Sequence, residues 1–458
     1  MNQPLWRGAG VGRPAAPVRI LHVGLGNFFR AHQAWYTEHA PDAAEWGIAA
    51  FTGRSHRMAD ALVPQDGLYT LITRGASGDS YEVISSISAV HAATDDLAYL
   101  EYWRSPNLAL VTVTVTEAGY VLAPDGSLDL ADPALAADLA ALRRGATTGL
   151  ATTPGRLVAG LTARRAAGAG PIALVSCDNL SGNGAVLRRV LTDFADRVAP
   201  GLAGWVDANA GFVSTMVDRI TPATTPDDLD AVRSATGFDD AVPVPTEPFT
   251  EWVLAGDFLA GRPAWEAVGA RFVPDATPYE ERKLTLLNGS HSLLAYCGSV
   301  LGHETVAEAI ADPRCLAWVE QWWDEACRHL DLPATELAAH RQALLERYRN
   351  PAIRHSLAQI ASDGSLKLPV RILPTLRAEY AGGRTPSAAA RVLAAWVLHL
   401  RGRGAPVRDA GGAAVLAVAS GGLGDSVDAA LAVLGLDQPG LREAVVDAAT
   451  HLMADAPG

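Results

Sequence analysis

The segment Tyr279-Glu280-Glu281-Arg282-Lys283-Leu284-Thr285-Leu286-Leu287-Asn288-Gly289-Ser290-His291-Ser292 sets polar side chains of unlike chemistry in apolar company. Wound as a helix at about 100° per residue, it places Glu280, Lys283, Asn288 and His291 within an arc of roughly 140°. Leu284, Leu287, Leu294 and Ala295 interleave with them. Polar groups in such surroundings are costly unless paired or used. One such residue alone reads as a capped helix face or a satisfied core histidine; four on one arc read as a site. An amine among apolar side chains is easier to keep uncharged, because burial disfavours the ammonium. Uncharged, Lys283 can take the proton of an alcohol while hydride leaves the carbon. The Asn288 amide can donate to the developing alkoxide. His291 can hold a substrate hydroxyl or steer the lysine, and Glu280 can relay the proton outward. This arrangement requires no metal.

A second polar cluster, Ser176-Cys177-Asp178-Asn179-Leu180-Ser181-Gly182-Asn183-Gly184, directly follows the apolar run Ile172-Ala173-Leu174-Val175. Ligands of α/β sheets bind beyond the carboxyl ends of strands, so Asn179 is well placed to act. Thr114-Val115-Thr116-Glu117-Ala118-Gly119-Tyr120 is another strand end of this kind, offering Thr116 and Glu117. Met216-Val217-Asp218-Arg219-Ile220-Thr221-Pro222 sets an Asp–Arg pair before a proline break, for which a structural ion pair and a functional role are equal readings.

The apolar run Val18–Val23 passes at once into Gly24-Leu25-Gly26-Asn27-Phe28-Phe29. A strand, a glycine turn and a helix in that order suit a dinucleotide: the first glycine permits the turn and the second lets the backbone approach a pyrophosphate. Phe29 stands where the usual fingerprint has its third glycine, so a plain strand–helix turn is the competing reading. Gly24, Gly26, Asn27, Phe28 and Arg30 are the candidate cofactor residues here; His32 is close, and a surface role is equally open to it and to Arg30. After the next strand, Trp46–Phe51, no acid appears. Arg54, Ser55, His56 and Arg57 follow instead, and a base accommodates the extra phosphate of NADP where an acid favours NAD. The cofactor is therefore NAD or NADP, with weight toward NADP or dual use.

These groups need two scaffolds. Further strands are expected at Tyr69–Thr73, Tyr81–Ile87, Ala109–Thr116 and Pro171–Ser176, and helices at Phe28–His39, Thr94–Trp103, Pro133–Arg144 and Pro154–Ala167. The alternation implies an α/β, Rossmann-like N-terminal domain with a mainly parallel sheet, residues 1–277. From Pro278 the texture becomes Ala/Leu-rich and helical: Pro278–Tyr296, Val306–Ala311, Arg314–Leu330, Ala334–Arg347, Leu357–Ala361, Ser387–Leu400 and short helices to Met453, with proline-bearing loops between. Residues 278–458 are thus expected to form a mostly α-helical C-terminal domain.

Composition narrows the class. Of 458 residues, 49% are hydrophobic and 19% charged, enough for large cores. The formal net charge of −13, spread along the chain, disfavours nucleic acid and anionic membrane as partners. The four cysteines, Cys177, Cys297, Cys315 and Cys327, have no CxxC spacing, so a disulfide framework and a Cys-rich zinc site are not expected. Met1–Val18 has no signal-peptide pattern and no run has membrane-span length. The expectation is a soluble, cytoplasmic protein, monomeric or a small homo-oligomer.

Taken together, the segments resemble the mannitol dehydrogenase family of long-chain polyol dehydrogenases. The matching pieces are GLGNFFRAH (24–32), QDGLYTL (65–71), TVTEAGY (114–120), SCDNLSGNG (176–184), MVDRITP (216–222), EPFTEW (247–252), YEERKLTLLNGSHS (279–292) and DGSLKLP (363–369), in family order over nearly the whole chain. The resemblance implies a Rossmann-type domain, a helical domain and an active site in the cleft between them. It implies Lys283 as general base, Asn179 and Asn288 as the pair binding the reacting oxygen, and His291 as a substrate-orienting residue. Asp218 would be a site carboxylate and Glu280 a gate for proton release; zinc is not used. The short N-terminal region and the missing acid after the second strand depart from the family pattern.

Family substrates include mannitol/fructose, arabinitol/xylulose and mannonate/fructuronate. D-mannitol/D-fructose is the leading expectation. Lys367 and Arg371, with Arg354 and His355, form a basic group that would suit a carboxylate, which keeps fructuronate reduction open. A non-catalytic nicotinamide-binding sensor has no need for Lys283, Asn179, Asn288 and His291 together. A zinc-dependent alcohol dehydrogenase would lose activity on chelation.

Overall fold

Residue alternation along short, doubly buried strands shapes the N-terminal half of this computed structural model, which describes residues 3–456. The chain divides into two compact units, Met1–Thr277 and Pro278–Gly458. Besides a short parallel pair, Gln3–Pro4 with Phe238–Asp239, the strands of the first are β1 (Val18–Val23), β2 (Gly47–Phe51), β3 (Tyr69–Gly75), β4 (Gly78–Ile84), β5 (Ile87–His91), β6 (Leu110–Val113), β7 (Ile172–Ser176), β8 (Ala210–Asp218), β9 (Val244–Thr246), β10 (Glu251–Ala255) and β11 (Arg271–Phe272). Eight form one sheet in the order β11-β10-β8-β7-β6-β1-β2-β5, while β9-β3-β4 form a smaller one. All pairings in the large sheet are parallel except β10 against β8.

Successive side chains of a strand point to opposite faces, and a parallel sheet buries both. Leu21, Val23, Ala49, Phe51, Val111, Val113 and Leu174 enter one core. It is closed by α4 (Asp96–Arg104), α5 (Thr153–Ala167) and α6 (Asn183–Val198) through Trp103, Leu157, Leu191 and Phe194. Ile20, Ile48, Ala50, Leu110, Ala173 and Val175 enter the other, under α1 (Asn27–Ala31), α2 (Gln33–His39) and Trp252 and Trp265. A short helix, α3 (Arg57–Leu62), follows β2.

The local structure corrects two expectations. The helix expected over Phe28–His39 breaks at His32, whose buried ring stacks on Phe28 and meets the Glu251 carbonyl at 2.9 Å. The strand expected over Tyr81–Ile87 is two strands that change partner at Ser85-Ser86: β4 pairs with β3, β5 with β2. Ser85 there meets the Glu38 carboxylate, and Ser86 donates its hydroxyl to the Ala34 carbonyl while its own carbonyl accepts from the Ile48 amide of β2. Strands β8 to β11 were not anticipated as strands at all.

The C-terminal unit is helical. Its elements include α7 (Thr277–Arg282), α8 (Ser290–Leu293), α9 (Pro313–Cys327), α10 (Ala334–Tyr348), α11 (Gly364–Arg371) and α12 (Ser387–Leu400). Helix α12 is buried on nearly every side, as a helix without a polar face must be. The helix expected over Pro278–Tyr296 is present and unbroken, but its winding is not uniform: π-helical segments occupy Lys283–Gly289 and Leu294–Gly298. Among the described residues, no helix is long and apolar enough to cross a membrane.

Candidate active site

In the N-terminal unit the candidate residues lie along one edge of the large sheet. Gly24 follows β1, Arg54 follows β2, Thr116 and Glu117 follow β6, Asn179 follows β7, and Asp218 ends β8. These five strands run parallel, so this is their common carboxyl edge. The strand order reverses between β1 and β6, the switch point at which open α/β sheets bind ligands.

Gly24 adopts φ 111°, and a Cβ there would fall on the Thr114 carbonyl, so only glycine serves. Its amide and that of Leu25 donate to the Phe51 carbonyl at 3.1 and 2.9 Å, tying the turn to the end of β2. The Thr114 hydroxyl donates to the Gly24 carbonyl at 2.9 Å and contacts His22 Nε2 at 3.1 Å; His22 Nδ1 lies 2.8 Å from the Thr112 hydroxyl. Burial lowers the His22 pKa to about 3, so the imidazole is neutral. Phe29 stacks on it with centroids 3.5 Å apart. That stack fills the helix–sheet space where the usual fingerprint needs a third glycine. A Cβ at Gly26 would meet nothing nearer than 3.6 Å, leaving a space over the turn that a side chain would fill. The turn therefore fits a dinucleotide, with half-buried Asn27 and Phe28 beside it.

Arg30 requires a correction. It is buried, donates to the Val242 carbonyl and to Asn27 Oδ1 (2.7 Å), and lies over the Tyr69 ring. It braces the turn from within the core and is not a phosphate ligand. His32 is likewise buried and has no surface role. Nor does Arg219 simply pair with its neighbour Asp218: its guanidinium donates to the carbonyls of Ala31 and Glu247 and lies over Trp35.

The loop after β7 is anchored from below. Asp178 accepts from Tyr120, from Ser176 (2.7 Å) and from the Leu180 amide (2.9 Å). Burial raises its pKa and that of Tyr120. Asn183 accepts from the Thr215 amide and donates to the carbonyls of Asp178 and Thr215. Between these anchors Asn179 is exposed.

In the C-terminal unit, Lys283 begins a π-helical turn. A π-helix closes i→i+5 hydrogen bonds and so winds more slowly, which brings Asn288 nearer to the side of Lys283 than α-helical winding would. The winding has a visible cause. Trp322 and Trp323 of α9 donate indole N–H groups to the carbonyls of Thr285 and Leu286, each at 2.9 Å. The Leu287 carbonyl accepts from Ser290 (3.1 Å) and from Tyr348 of α10 (3.2 Å). Side chains inserted into the ladder in this way loosen an α-helix. Lys283 and Asn288 are half-buried, and Glu280 and His291 are buried.

Helix α11 packs against this segment and carries Lys367 and Arg371 one turn apart. Arg371 donates to the Ser292 hydroxyl at 3.3 Å, and Lys367 to the Ile360 carbonyl at 3.2 Å. Burial lowers the pKa of both. Neither forms an ion pair among the described residues. His355 sits edge-on to His291 with centroids 4.9 Å apart. Burial, and then the Arg347 cation, lower its pKa to about 4. The expected basic group is thereby corrected: His355 is neutral and Arg354 is exposed, leaving Lys367 and Arg371 as the cations beside the helix. Sequence reading missed Ser292, Tyr348 and the His291–His355 contact; no local pattern announces contacts between segments so far apart.

One group of metal-type donors occurs among the described residues, His303, Asp312 and Cys315. Its carboxylate is held by Arg314, 2.7 Å away, which lowers the Asp312 pKa.

A Rossmann-type sheet with its glycine turn at the switch point, in one chain with a helical unit bearing Lys283, Asn288 and His291, defines an NAD- or NADP-dependent dehydrogenase of secondary alcohols. The chain belongs to the mannitol dehydrogenase family: the mannitol dehydrogenase Rossmann domain matches residues 18–267, and the mannitol dehydrogenase C-terminal domain matches residues 275–451. It is 38% identical over 395 residues to the D-mannonate oxidoreductase of Escherichia coli K12, covering 84% of this chain and 80% of that one. It is 41% identical over 397 residues to the D-arabinitol 4-dehydrogenase of Ralstonia nicotianae, covering 84% of each. The mannitol 2-dehydrogenase of Pseudomonas fluorescens, solved as a ternary complex with NAD and D-mannitol, superposes with a TM-score of 0.77 at 35% identity, covering 96% of this chain and 92% of that one.

Proposed function

We propose that this dehydrogenase interconverts a polyol and its ketose, D-mannitol and D-fructose being the leading pair, with Lys283 as general base. The observation that carries this reading is the π-helical turn that aligns Lys283 with Asn288 and is followed directly by His291. Lys283 takes the hydroxyl proton. Asn288 and Asn179 donate to the oxygen as its charge grows, so stabilisation is strongest in the transition state. His291 holds a neighbouring hydroxyl, Asp218 serves as a site carboxylate, and Glu280 passes the proton on from Lys283. The nicotinamide, when bound, accepts the hydride. Gly24, Gly26, Asn27, Phe28, Arg54, Thr116 and Glu117 are assigned to hold the dinucleotide. The protein is assigned to the cytoplasm.

A second reading, reduction of fructuronate to mannonate, draws on Lys367 and Arg371, two part-buried cations without a carboxylate partner among the described residues. A guanidinium in that state suits a carboxylate-bearing sugar. Steady-state rates with mannitol, arabinitol, sorbitol and fructuronate separate the two. The highest kcat/KM with mannitol supports the first; a large preference for the uronate displaces it. Loss of all activity after exhaustive chelation would instead overturn catalysis by the lysine alone.

A further inference from the structure

The turn after β2 carries a feature that the polyol chemistry does not use. Residues Gly53 to Arg57 are exposed, and Arg54 and Arg57 are its cations. Neither guanidinium has a hydrogen bond or ion pair among the described residues. No carboxylate lies between Thr52 and Arg57, and the next acid, Asp60, is engaged by His56. The loop is also fixed relative to the glycine turn. The Phe51 carbonyl accepts from the amides of both Gly24 and Leu25, and Thr52 accepts from the Ala93 amide at 2.9 Å. Arg54 thus stands three residues from a backbone oxygen that is part of the turn itself. A Cβ at Gly53 would meet nothing within 4 Å, so the surface there is open to a ligand.

We propose that Arg54, assisted by Arg57, receives the 2′-phosphate of NADP(H), and that this chain prefers the phosphorylated dinucleotide. The proposal rests on the reading that a dinucleotide lies on the Gly24–Gly26 turn. An NAD-type ribose presents two hydroxyls, which an acid at the end of the second strand accepts; this loop supplies no such acceptor. A 2′-phosphate presents a dianion at the same place, and guanidinium groups bind it through paired, charge-assisted hydrogen bonds. An exposed arginine is ordinarily a solvated surface residue. Two unpaired ones at the ribose end of a dinucleotide turn that lacks its acid are what phosphate recognition requires.

The test is equilibrium titration of the full chain with NADPH and with NADH, followed by quenching of tryptophan fluorescence, with 2′-phosphoadenosine 5′-phosphate as competitor. NADPH is expected to bind about tenfold or more tightly than NADH, and raised salt should narrow the gap. Arg54→Ser and Arg57→Ser together should bring the ratio of the two dissociation constants toward unity, with an unchanged thermal midpoint, and should abolish competition by the phosphorylated fragment. Equal or tighter binding of NADH by the wild type overturns the proposal, as does a double variant that keeps the preference. NADH binding without that preference leaves the dinucleotide reading intact. Failure of both nucleotides to bind overturns that reading and the proposal together.

Discussion

The guanidinium of Arg371 meets the Ser292 hydroxyl at 3.3 Å, one residue beyond His291 in the chain. This contact joins α11 to the helix of the proposed base and brings a part-buried cation to the residue that follows His291. If a carboxylate-bearing sugar is the substrate, Arg371→Ala should lower kcat/KM for fructuronate by about 10- to 100-fold and change that for mannitol far less. Parallel losses on both sugars would show that Arg371 acts through the packing of α11 alone. Comparison of the two kcat/KM ratios decides.

Lys283→Ala removes the proposed base at the head of the π-helical turn. Turnover should fall by roughly 10²- to 10⁴-fold while the dissociation constant of the cofactor stays nearly unchanged. Small primary amines should restore part of the rate, since they supply the missing proton acceptor. For the wild type, the rate of alcohol oxidation should rise with pH as a single group loses its proton. Wild-type rates in the variant would place the base elsewhere.

The legible parts of this chain are those whose signal is local. An unbroken apolar run ending in Gly24 marks a buried strand and its turn, because the turn's constraint falls on adjacent residues. Lys283, Asn288 and His291 were legible as a group because their spacing survives on any helix. Their winding was not: it depends on indoles at Trp322 and Trp323 and the phenol of Tyr348, which arrive from other helices. Arg30 looked like a phosphate ligand from its place after the glycines, and only the Val242 carbonyl and the Tyr69 ring show it to be core. Helix α11 was hidden by Pro369, which reads as a break yet lies inside the helix. Strand β8 interleaves Ser214 and Thr215 among its apolar residues, so its run looked interrupted.

His355 gives a pH dependence of stability. Its value in the fold is about 4 against 6.5 for the free side chain, so folding favours the neutral ring. The stability it contributes is complete above 6.5 and is lost as the pH falls through the window toward 4. His22, lowered to about 3, acts with the same sign in the N-terminal unit. The thermal midpoint should therefore drop between pH 7 and pH 5, and His355→Asn should show a smaller drop. An equal drop in that variant would mean that the ring is already charged in the fold or that other groups govern the transition.

The π-helical turn itself can be tested through Trp322. Its indole N–H satisfies the Thr285 carbonyl, and its ring lies against Gly289, where an added Cβ would come 2.7 Å from Nε1. Trp322→Phe keeps most of the volume and removes the donor, leaving a buried carbonyl to find a partner within the helix. The nearest remedy is an ordinary i→i+4 bond, which would rotate Asn288 away from Lys283. The expected cost to stability is about 1–3 kcal/mol. The expected effect on kcat is larger in kind, a fall of about 10- to 100-fold with cofactor affinity unchanged, because base and oxyanion donor lose their register. A variant that is destabilised to this extent but turns over at the wild-type rate would show that the alignment of Lys283 and Asn288 does not depend on the indole.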